Sequence, residues 1–259
     1  MEDDFCSRET LSRPEDTANR IRGYNLMAVL RCTCAGLAVA FHFDGSRVCG
    51  YTQGVALDIV KYGHPVLRQK GKRIERVTPE IRKLADDMLE TMYAAQGLGL
   101  AAQQVGQALL LTVIDVAISD RPSQLFIDGK PQDLASSMPL MLINPQILNT
   151  QGEQVGPEGC LSIPEVNADI RRAERVTVRA QTLDGQEIVF ECTGLLARAA
   201  QHEIDHLNGR LFIDRMDSAT RASFDGKLKK MEKETLAALP KTAKRRRSPA
   251  PRQAGLASL

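Results

Sequence analysis

The sequence predicts one main domain of mixed helices and strands with an added segment at each end, and three observations lead to this prediction. Residues 194–200 are rich in Ala and Leu, contain no proline and lead into a polar segment that Gly209 can end, as in a helix. Residues 78–92 repeat apolar side chains at helical spacing. Residues 175–182 and 188–192 flank the turn-forming pair Asp184-Gly185, which is typical of a β-hairpin.

Composition supports one sizeable core and distinguishes the two ends of the chain. A chain of 259 residues that is 43% hydrophobic is long enough for one good-sized domain. The formal net charge of +2 conceals six acids within residues 1–16 and six basic residues, with no acid, within residues 241–252. We therefore predict a poorly ordered extension over residues 1–54 and a basic disordered tail over residues 241–259. Six cysteines without a regular framework indicate a reducing compartment.

The first 54 residues give no clear structural pattern. Their two apolar runs, residues 26–30 and 36–41, are separated by Arg31 and followed by His42, so neither reaches the roughly 18 residues that a membrane span needs. A signal peptide that started at Met27 would lack the basic segment that opens such peptides, and the acids before it argue against an organellar transit peptide. We expect no membrane association. A second metal site could be drawn from four side chains here, but their spacing fits no familiar pattern: Cys32, Cys34, His42 and Cys49.

Regular elements are predicted from residue 55 onward. Residues 55–60 resemble a short strand closed by a turn, in which His64 is expected as a loop residue. Thr78 is a natural N-cap for the next helix, and Pro79 suits its first position. The sequence then predicts a buried strand at 109–116, a surface excursion at 119–139, and a strand at 140–143 that ends in a turn at Asn144-Pro145.

A Gly-rich segment at residues 97–106 follows this helix. Gly97 can end the helix, and Gly99 allows the backbone to approach another group closely. The segment could be a tight helix-to-strand connection with small residues for packing. A phosphate-binding loop is the other interpretation, but the Lys-Ser/Thr pair of a P-loop and the third glycine of a dinucleotide fingerprint are both missing.

The predicted helix at 194–209 contains His202, Glu203 and His206 in the HExxH pattern. The two histidines are four residues apart, so their imidazoles lie on one face and can reach one metal ion. The alternative is a pair of surface histidines around a solvated glutamate. No histidine follows His206, so a third ligand must come from upstream, and Cys160 is the candidate. A free cysteine is more often an inert buried side chain, which is what we expect of Cys192 in the hairpin.

Three segments together, residues 97–104, 158–162 and 202–206, resemble the signature motifs of the peptide deformylases in sequence, order and spacing. The resemblance extends over residues 55–216, which we predict as the catalytic domain, and leaves out both ends. It implies an α+β fold in which small antiparallel β-sheets pack around a central metal-binding helix. It also implies a metal-dependent hydrolase that removes the formyl group from the N-terminal formylmethionine of new bacterial polypeptides and releases formate.

The residue pattern and the family resemblance together predict the roles of individual site residues. Cys160, His202 and His206 are the predicted ligands of one divalent metal with an open fourth position; the resemblance implies Fe(II), with Zn(II) or Ni(II) as alternatives. Glu203 is expected to move the proton, while the family pattern assigns oxyanion stabilisation to the Gln104 side chain and the Leu161 N–H. Substrate contacts are expected at Leu98, Gly99 and Ala199. The Arg198 side chain is expected to face solvent.

A C-terminal helix is predicted over residues 217–240, from about Ser218 to Leu239. It carries four lysines and leads into the basic tail, so we expect it to dock a cytoplasmic enzyme on ribosomal RNA, where nascent chains emerge. A solvated helix with a disordered tail is the alternative.

Two other functions share the central motif: a zinc endopeptidase, and a ribosome- or RNA-binding protein with a structural metal. A structural site normally needs a fourth protein ligand, and none is evident.

Overall fold

The computed structural model describes residues 40–44, 47–51 and 56–240. Residues 1–53 and 54–259 form two units, and the first contributes an antiparallel hairpin of β1 (Ala40–Asp44) and β2 (Arg47–Tyr51). Most of the predicted N-terminal extension and the whole basic tail lie outside the described residues. The same is true of the alternative metal site, because Cys32 and Cys34 and the side chains of His42 and Cys49 are not described.

The second unit has an α+β fold with two antiparallel sheets, which confirms the predicted fold class. Its described strands are β3 (Gly99–Ala101), β4 (Leu111–Ile114), β5 (Ser123–Ile127), β6 (Lys130–Gln132), β7 (Leu140–Gln151), β8 (Gln154–Cys160), β9 (Ile163–Arg172), β10 (Arg175–Gln181) and β11 (Glu187–Thr193). Seven of them form one sheet in the order β3-β4-β7-β10-β11-β5-β6, while β8 and β9 form a separate two-stranded ribbon. The hairpin predicted around Asp184-Gly185 is β10 and β11.

The described helices are α1 (Pro79–Ala94), α2 (Leu134–Ser137), α3 (Gly194–Leu207), α4 (Ser218–Ser223) and α5 (Asp225–Ala238). Helix α1 begins where the sequence predicts, with Thr78 as N-cap, although the Thr78 side chain makes no capping hydrogen bond. Helix α3 follows β11 directly, and almost all of its side chains are buried. Among the described helices, none is both long and apolar enough to cross a membrane.

Helix α3 lies against the large sheet, and apolar packing holds it there. Leu196 and Ala200 of α3 are buried in one cluster with Val176 and Phe190 of the hairpin. Complete burial of a side chain as large as Phe190 stabilises the fold by roughly 1.5–3 kcal/mol relative to exposure. A second cluster joins α1 to β3 and β4, and a third joins β9 to Phe212 and to helix α5. The predicted central helix is therefore a buried and firmly supported element.

Several predicted elements differ from the observed ones. Residues 56–61 form no strand. The Val60 N–H bonds to the Gln104 carbonyl, but this hydrogen bond does not belong to a ladder between paired strands. The predicted excursion at 119–139 contains β5, β6 and α2, since β5 pairs with β11 and buries Leu125. The single predicted C-terminal helix is two helices, α4 and α5, which are separated at Phe224.

Strand β7 also continues through the Asn144-Pro145 pair, where the sequence predicts a turn. Asn144 adopts a positive φ of 52°, and its side chain bonds to the N–H and the carbonyl of Ile74. These bonds compensate for local backbone strain of the kind that asparagine tolerates better than most residues. The strand therefore crosses a position at which local sequence preference favours a turn.

Candidate metal centre and active site

The three predicted metal ligands converge in the structure. Helix α3 carries His202 and His206 on one face, with ring centroids 5.0 Å apart. Cys160 ends strand β8, and its Sγ lies 3.3 Å from His206 Nε2. One ligand atom from each of the three residues lies within 4.8 Å of the other two. A soft thiolate and two imidazoles are a donor set that binds divalent transition metals.

Glu158 contacts one of these predicted ligands, His202, through its carboxylate. It lies two residues before Cys160 on β8, and its Oε2 lies 3.0 Å from His202 Nδ1. A bond at Nδ1 leaves Nε2 of the same ring available as a ligand, the arrangement common around protein-bound zinc. Burial opposes ionisation of Glu158, but hydrogen bonds from Arg172 and His202 hold the pKa of its carboxyl well below the ordinary value. The site therefore contains a charged carboxylate that orients one imidazole.

The two imidazoles have different electrostatic surroundings. Burial disfavours the charged form of His202, yet its contacts with Cys160 and Glu158 outweigh this effect and raise its pKa to about 10. Burial, with the nearby charge of His202, holds the pKa of His206 well below its ordinary value. A metal ion requires both rings in the neutral form, so it would replace a proton at His202.

Glu203 follows His202 on α3 and does not belong to the ligand cluster. The residue is 4% exposed, and among the described residues no hydrogen-bond partner meets its buried Oε2. Burial raises the pKa of the Glu203 carboxyl to about 7. Such a carboxyl can both accept and donate a proton near neutral pH, which is what a general acid-base group requires.

Gln104 and Leu161 border the cluster on its other side. Gln104 is buried in a short 3-10 helix at Ala102–Val105, where its Oε1 accepts a hydrogen bond of 2.8 Å from the Ala101 N–H. This bond directs Nε2 toward Cys160, 3.5 Å from its Sγ. Leu161 is the first residue of the tight turn between β8 and β9, and its carbonyl accepts a hydrogen bond from Lys61. Both residues therefore lie beside the thiolate.

The three predicted substrate contacts lie on two elements next to Glu203. Gly99 begins β3, the edge strand of the large sheet, and a Cβ built on it would lie 2.4 Å from Glu203 Oε1. Leu98 is partly buried just before it, and Ala199 is a small side chain of α3, three residues before His202.

The structure also corrects one expectation and adds residues that sequence reasoning missed. The Arg198 side chain does not face solvent: it is buried and bonds to Glu158 because strands β8 and β9 cover that face of α3. Glu158 and Arg172 were not predicted as part of the site. Glu158 stands two residues before Cys160 in the same signature segment, which is the signal that could have found it.

Cys192 lies apart from the metal centre, as predicted. It is fully buried in the apolar cluster between the hairpin and α3, opposite Val176 in the neighbouring strand. Burial raises the pKa of its thiol to about 12, so the thiolate form is strongly disfavoured at neutral pH. Its role in the structure is that of a small apolar side chain.

Known proteins with similar sequences and structures are peptide deformylases. The sequence model of the family described as polypeptide deformylase matches residues 56–222. A peptide deformylase of Syntrophobacter fumaroxidans is 48% identical over 181 residues, covering 70% of this chain and 98% of that protein. One from Methylacidiphilum infernorum is 44% identical over 177 residues, covering 68% of this chain and 93% of that protein.

Two crystal structures of peptide deformylases are also similar to this structure. Peptide deformylase from Thermus thermophilus superposes with a TM-score of 0.60 at 36% identity, covering 70% of this chain and 99% of that one. The enzyme from Ehrlichia chaffeensis in complex with actinonin superposes with a TM-score of 0.60 at 37% identity, covering 68% and 97%. The resemblance found in the three motifs is thereby confirmed. The chain belongs to the peptide deformylases, metal-dependent hydrolases that remove the N-formyl group from nascent peptides.

Proposed function

We propose that Cys160, His202 and His206 together hold the catalytic metal of this deformylase. The observation that carries the proposal is the convergence of one thiol and two imidazoles within 4.8 Å, on two different elements. The donor set fits a divalent ion, and three protein ligands leave a position open to water or substrate. We propose Fe(II) as the native ion, with Zn(II) or Ni(II) as substitutes. When bound, such an ion acidifies water and polarises a carbonyl oxygen.

Glu203 is proposed as the proton carrier of the reaction. Its carboxyl is buried beside a proposed ligand, and in the part of the chain that the structure describes no group bonds to its Oε2 and competes for a proton. Hydrolysis of the formamide requires that the attacking water lose a proton and that the departing amine gain one. A single carboxyl with a pKa near 7 can perform both transfers in turn.

Gln104 and Leu161 are proposed to stabilise the oxygen on which negative charge develops. The Ala101 N–H holds Gln104 Oε1, so the amide Nε2 is directed toward the cluster before substrate arrives. The Leu161 N–H lies next to Cys160 in the turn that ends β8. Donors that are already oriented stabilise a transition state more than donors that must reorganise.

The substrate is proposed to lie along β3 as an additional strand. Gly99 stands at the edge of the large sheet, so backbone hydrogen bonds to an extended formyl-Met chain are available there. The small side chain of Ala199, with Leu98 nearby, would leave space for the methionine side chain. This placement brings the formyl group to the end of the chain that lies nearest Glu203.

Ribosome docking is proposed for the C-terminal basic region. Lys229 and Lys230 on α5 are strongly exposed, although each lies near an acid of the same helix. Such surface pairs contribute little and leave the positive charge available to phosphates. The cytoplasm, where formylated nascent chains are made, is the proposed location of the enzyme.

The activity and the metal can be tested in two assays. A formyl-Met tripeptide should release formate stoichiometrically, whereas an internal peptide bond in a longer substrate should stay intact. Cleavage of the internal bond without formate release would favour an endopeptidase. Metal analysis of protein purified without oxygen should give about one equivalent of iron per chain; stoichiometric zinc with full activity would contradict Fe(II) as the native ion.

A further inference from the structure

The proposed metal ligands come from two separately built parts of the fold. Cys160 belongs to the two-stranded ribbon of β8 and β9, which is not part of the large sheet. His202 and His206 belong to α3, which packs on that sheet. The distance between the thiol and the imidazoles therefore depends on how the ribbon is attached to α3.

Arg198 makes an extensive attachment between these two parts. From α3, its Nη1 donates to the Gly156 carbonyl at 3.2 Å and to the Ile170 carbonyl at 2.9 Å, one on each strand of the ribbon. The same Nη1 donates to Glu158 Oε1 at 2.8 Å. The side chain is only 3% exposed, so these bonds form away from competing water. Nη2 adds a bond of 3.3 Å to the Gln154 carbonyl, so two nitrogens of one planar guanidinium share these acceptors, whereas a lysine ammonium offers a single nitrogen.

The same carboxylate joins Arg198 to a proposed metal ligand. Arg198 and His202 are four residues apart on α3, so their side chains leave the helix on one face. Arg198 holds Oε1 of Glu158, while Oε2 lies 3.0 Å from His202 Nδ1. Glu158 and Cys160 are two residues apart on β8, with an irregularity of the β8–β9 pairing between them, and both side chains reach α3: Glu158 contacts His202 and Cys160 contacts His206. Movement of Glu158 would therefore disturb the imidazole and the thiol together.

We propose that Arg198 is a positioning residue of the metal centre, which keeps the ribbon ligand Cys160 and the helix ligand His202 at the separation at which both bind one ion. The proposal rests on the proposed metal site. Arg172 provides a second link, since it bonds to Glu158 on the ribbon and to Asp205 on α3. Because that link remains when Arg198 is replaced, the fold is expected to survive the change.

The test uses the full chain with Arg198→Met and Arg198→Lys, and Arg171→Met as the matched control. Arg171 is the neighbouring arginine on β9, but it is exposed and pairs with the surface residue Glu153. Two measurements are made: the Zn(II) dissociation constant by competition with a chelator, and the absorption bands of the Co(II)-loaded protein, which report ligand geometry. Arg198→Met should weaken Zn(II) binding by about ten- to a hundredfold and shift the Co(II) bands. Arg198→Lys should give a Zn(II) affinity and Co(II) bands between those of Arg198→Met and those of the parent. Arg171→Met should match the parent in both measurements.

Each outcome decides the proposal. A folded Arg198→Met protein with parental Zn(II) affinity and parental Co(II) bands would overturn it, even if the protein melted at a lower temperature. If Arg198→Met does not fold, Arg198→Lys is decisive: parental values of both measurements overturn the proposal, and weaker binding with shifted bands supports it. Failure of the metal site itself would be seen separately, as a parent protein without a thiolate-to-cobalt band, and would overturn both proposals.

Discussion

Gly99 and Glu203 are in such close contact that no other residue fits at position 99 without movement of the carboxylate. A Cβ built on Gly99 would lie 2.4 Å from Glu203 Oε1 and 2.8 Å from its Cδ. Both distances are too short for non-bonded atoms. The glycine thus brings the backbone of the edge strand, where the substrate is proposed to bind, against the proposed proton carrier.

Gly99→Ala should therefore lower kcat on the order of a hundredfold, because even a shift of about 1 Å in a catalytic group has effects of that size. Steady-state assays with a formyl-Met tripeptide provide the measurement. Gly226→Ala on α5 is the control, since a Cβ there meets no atom within 4 Å. A folded Gly99→Ala enzyme with parental kcat would show that Glu203 tolerates displacement.

Glu203→Gln should keep the metal and lose turnover. The amide is nearly the same size but cannot carry the proton, so kcat should fall by about a hundredfold or more. Metal content and kcat are measured on the same preparation, with Glu90→Gln on the exposed side of α1 as the control. If Glu203→Gln released the metal, the residue would have to be counted among the ligands.

Cys160→Ala should lose metal and activity together, while Cys192→Ala should lose neither. Both changes remove one sulfur, but only Cys160 lies in the ligand cluster. Cys192 lies in the apolar core, where the smaller side chain should cost about 1 kcal/mol of stability. Metal stoichiometry and thermal melting distinguish the two cases. Retention of stoichiometric metal by Cys160→Ala would disprove its assignment.

A chain that starts at Val55 should keep its deformylase activity and melt within a few degrees of the full chain. No signature motif lies in residues 1–54, and the family match begins at residue 56. Calorimetry and tripeptide turnover check this expectation. Marked unfolding of the shortened protein would show that the extension supports the catalytic domain.

Ribosome binding should depend on the basic C-terminal region. The test of this prediction must leave helix α5 in place. Leu228 of α5 is 1% exposed in the core, so deletion of residues 217–259 would damage the domain. Instead, residues 241–259 are deleted and Lys229 and Lys230 are changed to Gln. Ribosome affinity should then fall, and its salt dependence should weaken by roughly 0.7–0.9 in logarithmic slope for each lost phosphate contact.

Turnover of a free tripeptide should stay unchanged in this variant, because neither lysine contacts the active site. Lys130→Gln on β6 is a matched surface change. Co-sedimentation with ribosomes across a salt series is the measurement. Equal binding of the parent and the variant at low salt would exclude the basic region as the docking surface.

Local sequence was sufficient for the elements whose patterns depend on near neighbours. The spacing of His202 and His206 on one helix face, the Thr78-Pro79 start of α1 and the Asp184-Gly185 hairpin each follow from short-range geometry. Family membership was also accessible, because it rests on short motifs whose order along the chain is part of the sequence.

Tertiary structure decided what depends on distant partners. Local preference favoured a turn at Asn144, but bonds to Ile74, 70 residues away, hold Asn144 at a positive φ while strand β7 continues on both sides of it. From the sequence, Arg198 was predicted to face solvent. In the structure, the ribbon of β8 and β9 covers its side chain and supplies a buried carboxylate. By itself, the sequence predicted the three residues that are proposed to bind the metal. Only the fold decided how a thiol on a ribbon and two imidazoles on a helix meet, because that distance depends on contacts far apart in the chain.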